Sequence, residues 1–279
     1  MTDDLRYPDR PAIPAMQLAP ASGKPRLRAA VVTFISLLVF AMVWEFVGRG
    51  VNPLLGSYPS AIAMAFVQMM RSGELASALG ASLQPLAAGY TLAALAGVPA
   101  GLVLGRYPVM AAAFGVYVTA GYAMPLVALA PLFMIWFGLG FTVKMVIIFV
   151  LSFFPICINT WEGVRAVPKS LIEVGASFVA PPSAVMWRIV LPATLPYIIA
   201  GLKLAVGKAV IAMVVAEFFT SVSGLGGIIL NAANKFDTAA MFVPIILIMA
   251  LAVGLTALVT WIERKIAPWQ TEISGRDGV

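Results

Sequence analysis

Four charged side chains sit inside or at the edge of apolar stretches of this 279-residue chain: Glu45, Lys203, Lys208 and Glu217. Ionisable groups kept from water are costly, so a membrane-depth charge points to pairing or to function. Lys203 lies near the boundary of its stretch, where a long side chain can reach back to water. Lys208 is deeper and is expected to face a cavity or a carboxylate. A lysine in such a cavity would favour an anion. Glu217 reads either as half of a structural pair or as part of the same cavity wall. The two are not partners within one helix, because nine residues at about 100° per residue put them on opposite faces.

Other chemistry is excluded by what the chain lacks. There is no histidine, so neither an imidazole metal site nor a histidine proton relay can be built. Cys157 is the single cysteine and sits among Phe154, Ile156 and Ile158, which fits a small buried packing residue and no disulfide. No metal site is expected. No paired carboxylates or nucleophile–base pair stands out in the apolar stretches, so no catalytic residue is assigned. Gly201 to Lys208 comes nearest to a phosphate loop, but five residues separate its glycines and Ala209 replaces the Ser/Thr that would hold magnesium. Gly224-Leu225-Gly226-Gly227 is expected to make a turn in an outside loop.

The elements that must position these residues are membrane spans. The chain is 61% apolar and only 11% charged, whereas soluble domains are about 45–50% apolar and about 25% charged. Residues Met1 to Arg28 are polar and proline-rich, and are expected to form a disordered tail. A run of about 19 apolar residues follows, Ala29 to Val47, giving a first span at 29–48. It exceeds the roughly 7–15 residues of a signal-peptide core. Ser60 is expected to cap a short surface helix, Ala61 to Met70. Five more runs follow: Ser82–Leu104, Val109–Phe137, Val143–Asn159, Leu195–Thr220 and Ala239–Ile262. Each is long enough, or nearly so, for the roughly 30 Å of hydrocarbon that about 20 residues cross. The expectation is an all-α integral membrane protein of six spans, with a core over 76–263 and a tail over 264–279. Gly97, Gly101 and Gly105 line one face of the second span, and Pro125 and Pro131 interrupt the third. With the N-terminus inside, twelve Lys/Arg fall on inner segments, while Arg49, Arg71, Lys144 and Lys235 fall outside. That asymmetry places both termini in the cytoplasm. Basic residues between apolar runs, with no single basic patch, point away from nucleic acid.

The inner segment from about Trp161 to Leu191, within a loop taken as 161–193, is expected to be the longest cytoplasmic connection. It reads Glu173-Val174-Gly175, with Ile189-Val190-Leu191-Pro192 at its end. This resembles the signature loop of binding-protein-dependent ABC importer permeases: E-A-A, three residues, G, nine residues, I-x-L-P. Pro131-Leu132 with Trp136-Phe137-Gly138-Leu139-Gly140, and Ala216-Glu217 with Gly224-Leu225-Gly226, are similar to the nitrate/sulfonate/taurine branch. The likeness runs from about Ala81 to Trp269. Among the departures from the pattern, Gly175 stands for the second alanine and Val179 for the glycine. A valine takes a left-handed helix cap only at a cost. Pro181-Pro182 is therefore expected to stop the first helix of the loop, with Pro182 starting the next.

The resemblance implies a type I importer permease fold with cytoplasmic coupling helices, in a bacterial inner membrane. It implies a coupling surface at Leu171, Glu173, Val174, Gly175, Ala176, Ser177, Val179 and Pro192, seated on a separate ATPase that holds the ATP and magnesium, with no cofactor on this chain. The contact is expected over Leu171 to Met186. Glu173 is the candidate charged anchor, the plainer reading being that it favours a helix N-terminal turn. A second permease copy, an extracytoplasmic binding protein and membrane lipid complete the expected partners. The candidate pathway residues are Lys208, Glu217, Pro125 and Met124. A small anion (sulfonate, taurine or nitrate) is the expected cargo, with a thiamine precursor or riboflavin as the alternative. An ion-driven secondary transporter would want an inverted repeat and an ionisable relay, and neither is evident.

Overall fold

The computed structural model describes residues 25–220 and 223–267, which form helices joined by turns. Most of the expected N-terminal tail (1–24) and most of the C-terminal one (268–279) lie outside the described residues. Helix α1 spans Pro25–Arg49 and the last helix continues to Ile266, so each runs a few residues into a segment expected as tail. The chain divides at Glu45. Up to Trp44 it is the apolar helix α1, its side chains exposed from Val31 to Val43, with Phe40 and Trp44 in ring contact at 6.0 Å.

The second unit begins with the last turn of α1. There Glu45 accepts hydrogen bonds from the Ser60 backbone N–H (2.9 Å) and hydroxyl (2.7 Å) and from Arg49 Nε (2.8 Å). This corrects the role expected of Ser60. Helix α2 (Pro59–Arg71) starts at the proline, whose fixed φ suits a first helical position, and its N-cap Tyr58 makes no side-chain bond. Ser60 is bound to Glu45 instead.

Three long helices form the centre: α3 (Glu74–Arg106), α6 (Phe141–Arg165) and α9 (Leu191–Thr220). The Gly97–Gly101–Gly105 face of α3 lies on α6. A Cβ at Gly101 would stand 2.5 Å from the Cys157 carbonyl oxygen, and one at Gly105 would collide with Val164. The same logic joins α6 to α9, where a Cβ on Gly163 would meet Tyr197 at 2.5 Å. With no hydrophobic drive between helices in lipid, close backbone approach supplies the packing energy. Leu86, Ile147, Ile148, Leu151, Val210 and Met213 fill the space between these helices. Cys157 is wholly buried, as expected.

The expected third span is broken. Helix α4 (Pro108–Ala123) ends before Met124, and a 3-10 turn (Leu126–Leu129) leads into α5 (Ala130–Phe137) at 86° to it. Pro125 makes the break, while Pro131 stands in the first turn of α5, where no N–H is needed. On the loop side α7 (Lys169–Ser177) and α8 (Pro182–Val185) precede a π turn, Met186–Val190, that feeds α9. Two further helices, α10 (Leu225–Asn234) and α11 (Thr238–Ile266), close the described chain. Among the described residues, five helices are long and apolar enough to span a membrane, and up to six spans result when the bent α4–α5 pair counts as one.

Candidate functional site

The segment that carries Glu173 to Pro192 is built on a turn that valine takes only at a cost. Helix α7 ends with the Ala180 N–H donating to the Gly175 carbonyl (3.0 Å) and the Val179 N–H to that of Ala176 (2.9 Å). These are the two bonds of a Schellman cap, which needs a left-handed residue at the position after the cap. Val179 occupies it with φ 51°. The expectation that Pro181-Pro182 replaces this turn is therefore corrected. Valine keeps the glycine geometry, at a cost of roughly 1–2 kcal/mol. Pro182 does start α8, with Pro181 extended as its N-cap.

The turn holds its side chains outward. Val179 is 89% exposed, Phe178 81% and Trp187 69%, with Leu171, Ile172 and Val174 also exposed along α7. Ala176 and Ser177 share the exposed side, and the Ser177 hydroxyl donates back to the Glu173 carbonyl at 2.9 Å. Gly175 alone faces inward: a Cβ there would lie 3.1 Å from Val185 and from Ile189. A glycine in place of the pattern's alanine thus lets α7 lie close on the segment that follows. Glu173 is the fifth residue of α7, exposed and without an ion pair among the described residues. It is past the first turn, so the helix-start reading of this carboxylate has no geometric basis. Pro192 stands second in α9, directly after the π turn. Proline lacks the N–H that would bond back into that turn, and a widened turn absorbs the missing donor.

The four candidate pathway residues separate into two places. At the α4–α5 break, Met124 and Pro125 are exposed, and Lys208 of α9 holds its Nζ 4.8 Å from the ring centre of Tyr122, two residues before Met124. Lys208 has no carboxylate partner among the described residues. Lys203, five residues earlier, pairs with Glu263 of α11.

Glu217 is elsewhere: it is completely buried and lines no open surface, which corrects its place among the pathway candidates and agrees with the structural-pair reading. Its Oε1 accepts from the Ser82 hydroxyl of α3 (2.6 Å) and lies 3.9 Å from Lys144 Nζ of α6. Its Oε2 accepts from the Gly226 N–H at 2.8 Å. Ser82 Oγ also accepts from the Leu225 N–H (2.9 Å), and Lys144 donates to the Ser223 carbonyl (3.0 Å) and hydroxyl (3.1 Å). One carboxylate thereby ties α3, α6, α9 and the start of α10. Gly224, at φ 97°, passes so close that a Cβ would overlap the Glu217 carboxylate.

Sequence reasoning missed Ser82, Lys144, Ser223 and the glycines as one unit. Charge placement puts Lys144 on an outer segment without giving it a partner; it is buried in the first turn of α6. The turn expected of the glycine run is confined to Gly224; Gly226 and Gly227 lie in the first turn of α10. The available signal was the demand of Glu217 itself, since a carboxylate in an apolar helix requires donors, and the nearby Gly224-Leu225-Gly226 offers bare backbone N–H groups.

Comparison with known proteins places this geometry in context. Residues 97–268 match the family model described as binding-protein-dependent transport system inner membrane component. The putative aliphatic sulfonates transport permease protein SsuC of Bacillus subtilis is 30% identical over 85% of this chain and 87% of its own length. The formylaminopyrimidine transport permease protein ThiX of Halalkalibacterium halodurans is 28% identical over 84% and 93%. The nitrate import permease protein NrtB of Leptolyngbya laminosa is 29% identical over 96% and 99%. Among solved structures, an amino acid ABC transporter chain superposes with a TM-score of 0.57 at 17% identity, covering 72% of this chain and 98% of that one. That likeness establishes the fold.

Proposed function

The chain belongs to the family of binding-protein-dependent transport system inner membrane components, and from that premise we propose that it is the permease subunit of an ATP-driven importer of a small anion. One observation carries the reading. A short cytoplasmic helix, in register with the family's signature loop, ends in a rigid cap that holds Phe178 and Val179 almost fully out of the fold. Apolar side chains held outward on a polar segment are suited to a protein groove. The groove is that of a separate ATPase subunit, which binds ATP and magnesium. Leu171, Glu173, Val174, Ala176, Ser177 and Val179 form the contact, Gly175 sets the seat of α7, and Pro192 transmits its movement into α9. The ATPase acts by contacting two states of the permease differently.

A second copy of this chain completes the pathway, an extracytoplasmic binding protein delivers the cargo, and lipid surrounds the spans. Both termini face the cytoplasm of a bacterial inner membrane. Lys208, Met124 and Pro125 line the pathway. The chain itself hydrolyses nothing. Relatives named for aliphatic sulfonates and nitrate support an anionic cargo. A relative named for formylaminopyrimidine transport supports a second reading, a vitamin-like cargo. Mass spectrometry of the ligand held by the partner binding protein separates the two.

The test is uptake into proteoliposomes holding the permease, its ATPase and the binding protein. Uptake is expected to need ATP and to vanish when Leu171–Met186 is deleted while the permease still inserts. Uptake driven by an ion gradient alone, without the ATPase, would overturn the proposal.

A further inference from the structure

Among the described residues, the charges within or at the edge of the apolar runs are matched, with Lys208 as the exception. Glu217 has Lys144, Ser82 and the Gly226 N–H; Lys203 has Glu263; Glu45 has Arg49 and Ser60. Lys208 has only the face of Tyr122, at 4.8 Å. It lies near the middle of the apolar stretch Leu195–Thr220, about 7.5 Å further along the axis than Lys203 at 1.5 Å per residue. At that depth an ammonium in contact with lipid is strongly unfavourable. An aromatic face attracts a cation, yet it neutralises nothing and leaves the positive charge available to an anion. The half-exposed lysine is flanked on its own helix by exposed Leu204 and Ile211, one turn away on either side. Beside it the broken α4–α5 helix leaves Met124 and Pro125 exposed, and irregular backbone at membrane depth is tolerated against protein or a watered cavity, not against lipid.

We propose that Lys208 is a charge filter built into the permease: it receives the anionic group of the cargo in mid-membrane, and Tyr122 holds the lysine between passages. The charge preference then belongs to this chain as well as to its binding protein. The inference rests on the permease reading above and deepens it.

The test leaves the identity of the cargo aside. In a Cys157→Ala background, Tyr122→Cys places a thiol beside Lys208, in full transporter reconstituted with its ATPase and binding protein. Its modification rates by an anionic and by a cationic membrane-impermeant methanethiosulfonate are compared, with and without Lys208→Met. With Lys208 the anionic reagent is expected to gain relative to the cationic one. Lys208→Met should lower the anionic-to-cationic ratio about tenfold, the factor that roughly 1.4 kcal/mol represents, while Lys208→Arg keeps it within about twofold. Lys208→Gln should repeat the effect of the methionine. An unchanged ratio, or a thiol that only a lipid-soluble maleimide reaches, would overturn the filter. ATP-dependent uptake, measured on the same proteoliposomes without substitutions, reports separately on the permease reading.

Discussion

At the level of single residues, the chain keeps two costly arrangements. The first is the buried Lys144–Glu217 pair. Removing one member of such a pair leaves an uncompensated charge and costs about 3–5 kcal/mol. Glu217→Gln and Lys144→Met should each destabilise the permease by that order, while the double substitution should cost clearly less than the sum. Equilibrium unfolding in mixed micelles measures the cycle, and strict additivity would show that the 3.9 Å contact carries no coupling. The second arrangement is Val179 at φ 51°. Val179→Gly should relieve about 1 kcal/mol of backbone strain, partly offset by the freer unfolded chain. Thermal unfolding should show no loss of stability, yet ATP-dependent uptake should fall, because the side chain is 89% exposed at the proposed ATPase contact. Retained uptake would mean that the turn matters and the valine side chain does not.

At the level of elements, hydropathy and glycine spacing made most of the architecture legible. The runs starting at Ala29, Ser82, Val143, Leu195 and Ala239 all became long helices, because apolar length alone decides what can cross lipid. The Gly97–Gly101–Gly105 stripe met its partner helix. Gly101→Val should therefore disrupt the α3–α6 contact, since even a Cβ would stand 2.5 Å from the Cys157 carbonyl oxygen. Sharply reduced insertion, or a loss of the monodisperse peak on gel filtration, is expected, while Gly207→Ala, with nothing within 4 Å of its Cβ, should behave as wild type. What escaped the sequence was long-range. Ser82 and Glu217 are 135 positions apart, and no local periodicity announces such a bond. The glycine run hid α10 because its first residues look like a turn, and Pro125 hid the bend because Leu126 to Phe137 remains as apolar as what precedes it. At Val179 local propensity pointed one way and the packing of α7 through Gly175 imposed the other.

At the level of the whole molecule, the two ends of the helices do different work. The exposed turn with Phe178 and the α8 segment lead into the start of α9, whereas the Glu217 network, Ser223 and Lys235 belong to its other end. The helix between them, Leu191–Thr220, is 30 residues long, or about 45 Å at 1.5 Å per residue. That is more than the roughly 30 Å of hydrocarbon. The exposed turn at Phe178 and the Glu217 network thus stand toward opposite ends of one helix that carries Lys208 between them, and the proposed orientation puts them at opposite membrane surfaces. Single cysteines at Phe178 and Lys235, in a Cys157→Ala background, test that arrangement. In right-side-out vesicles an impermeant maleimide should label Lys235→Cys and leave Phe178→Cys unmodified until the membrane is opened. In inverted vesicles the pattern should reverse, and added ATPase subunit should then protect Phe178→Cys. Labelling of both from one side would overturn that arrangement, because a 30-residue helix cannot fold back on itself without a break that Leu191–Thr220 does not contain.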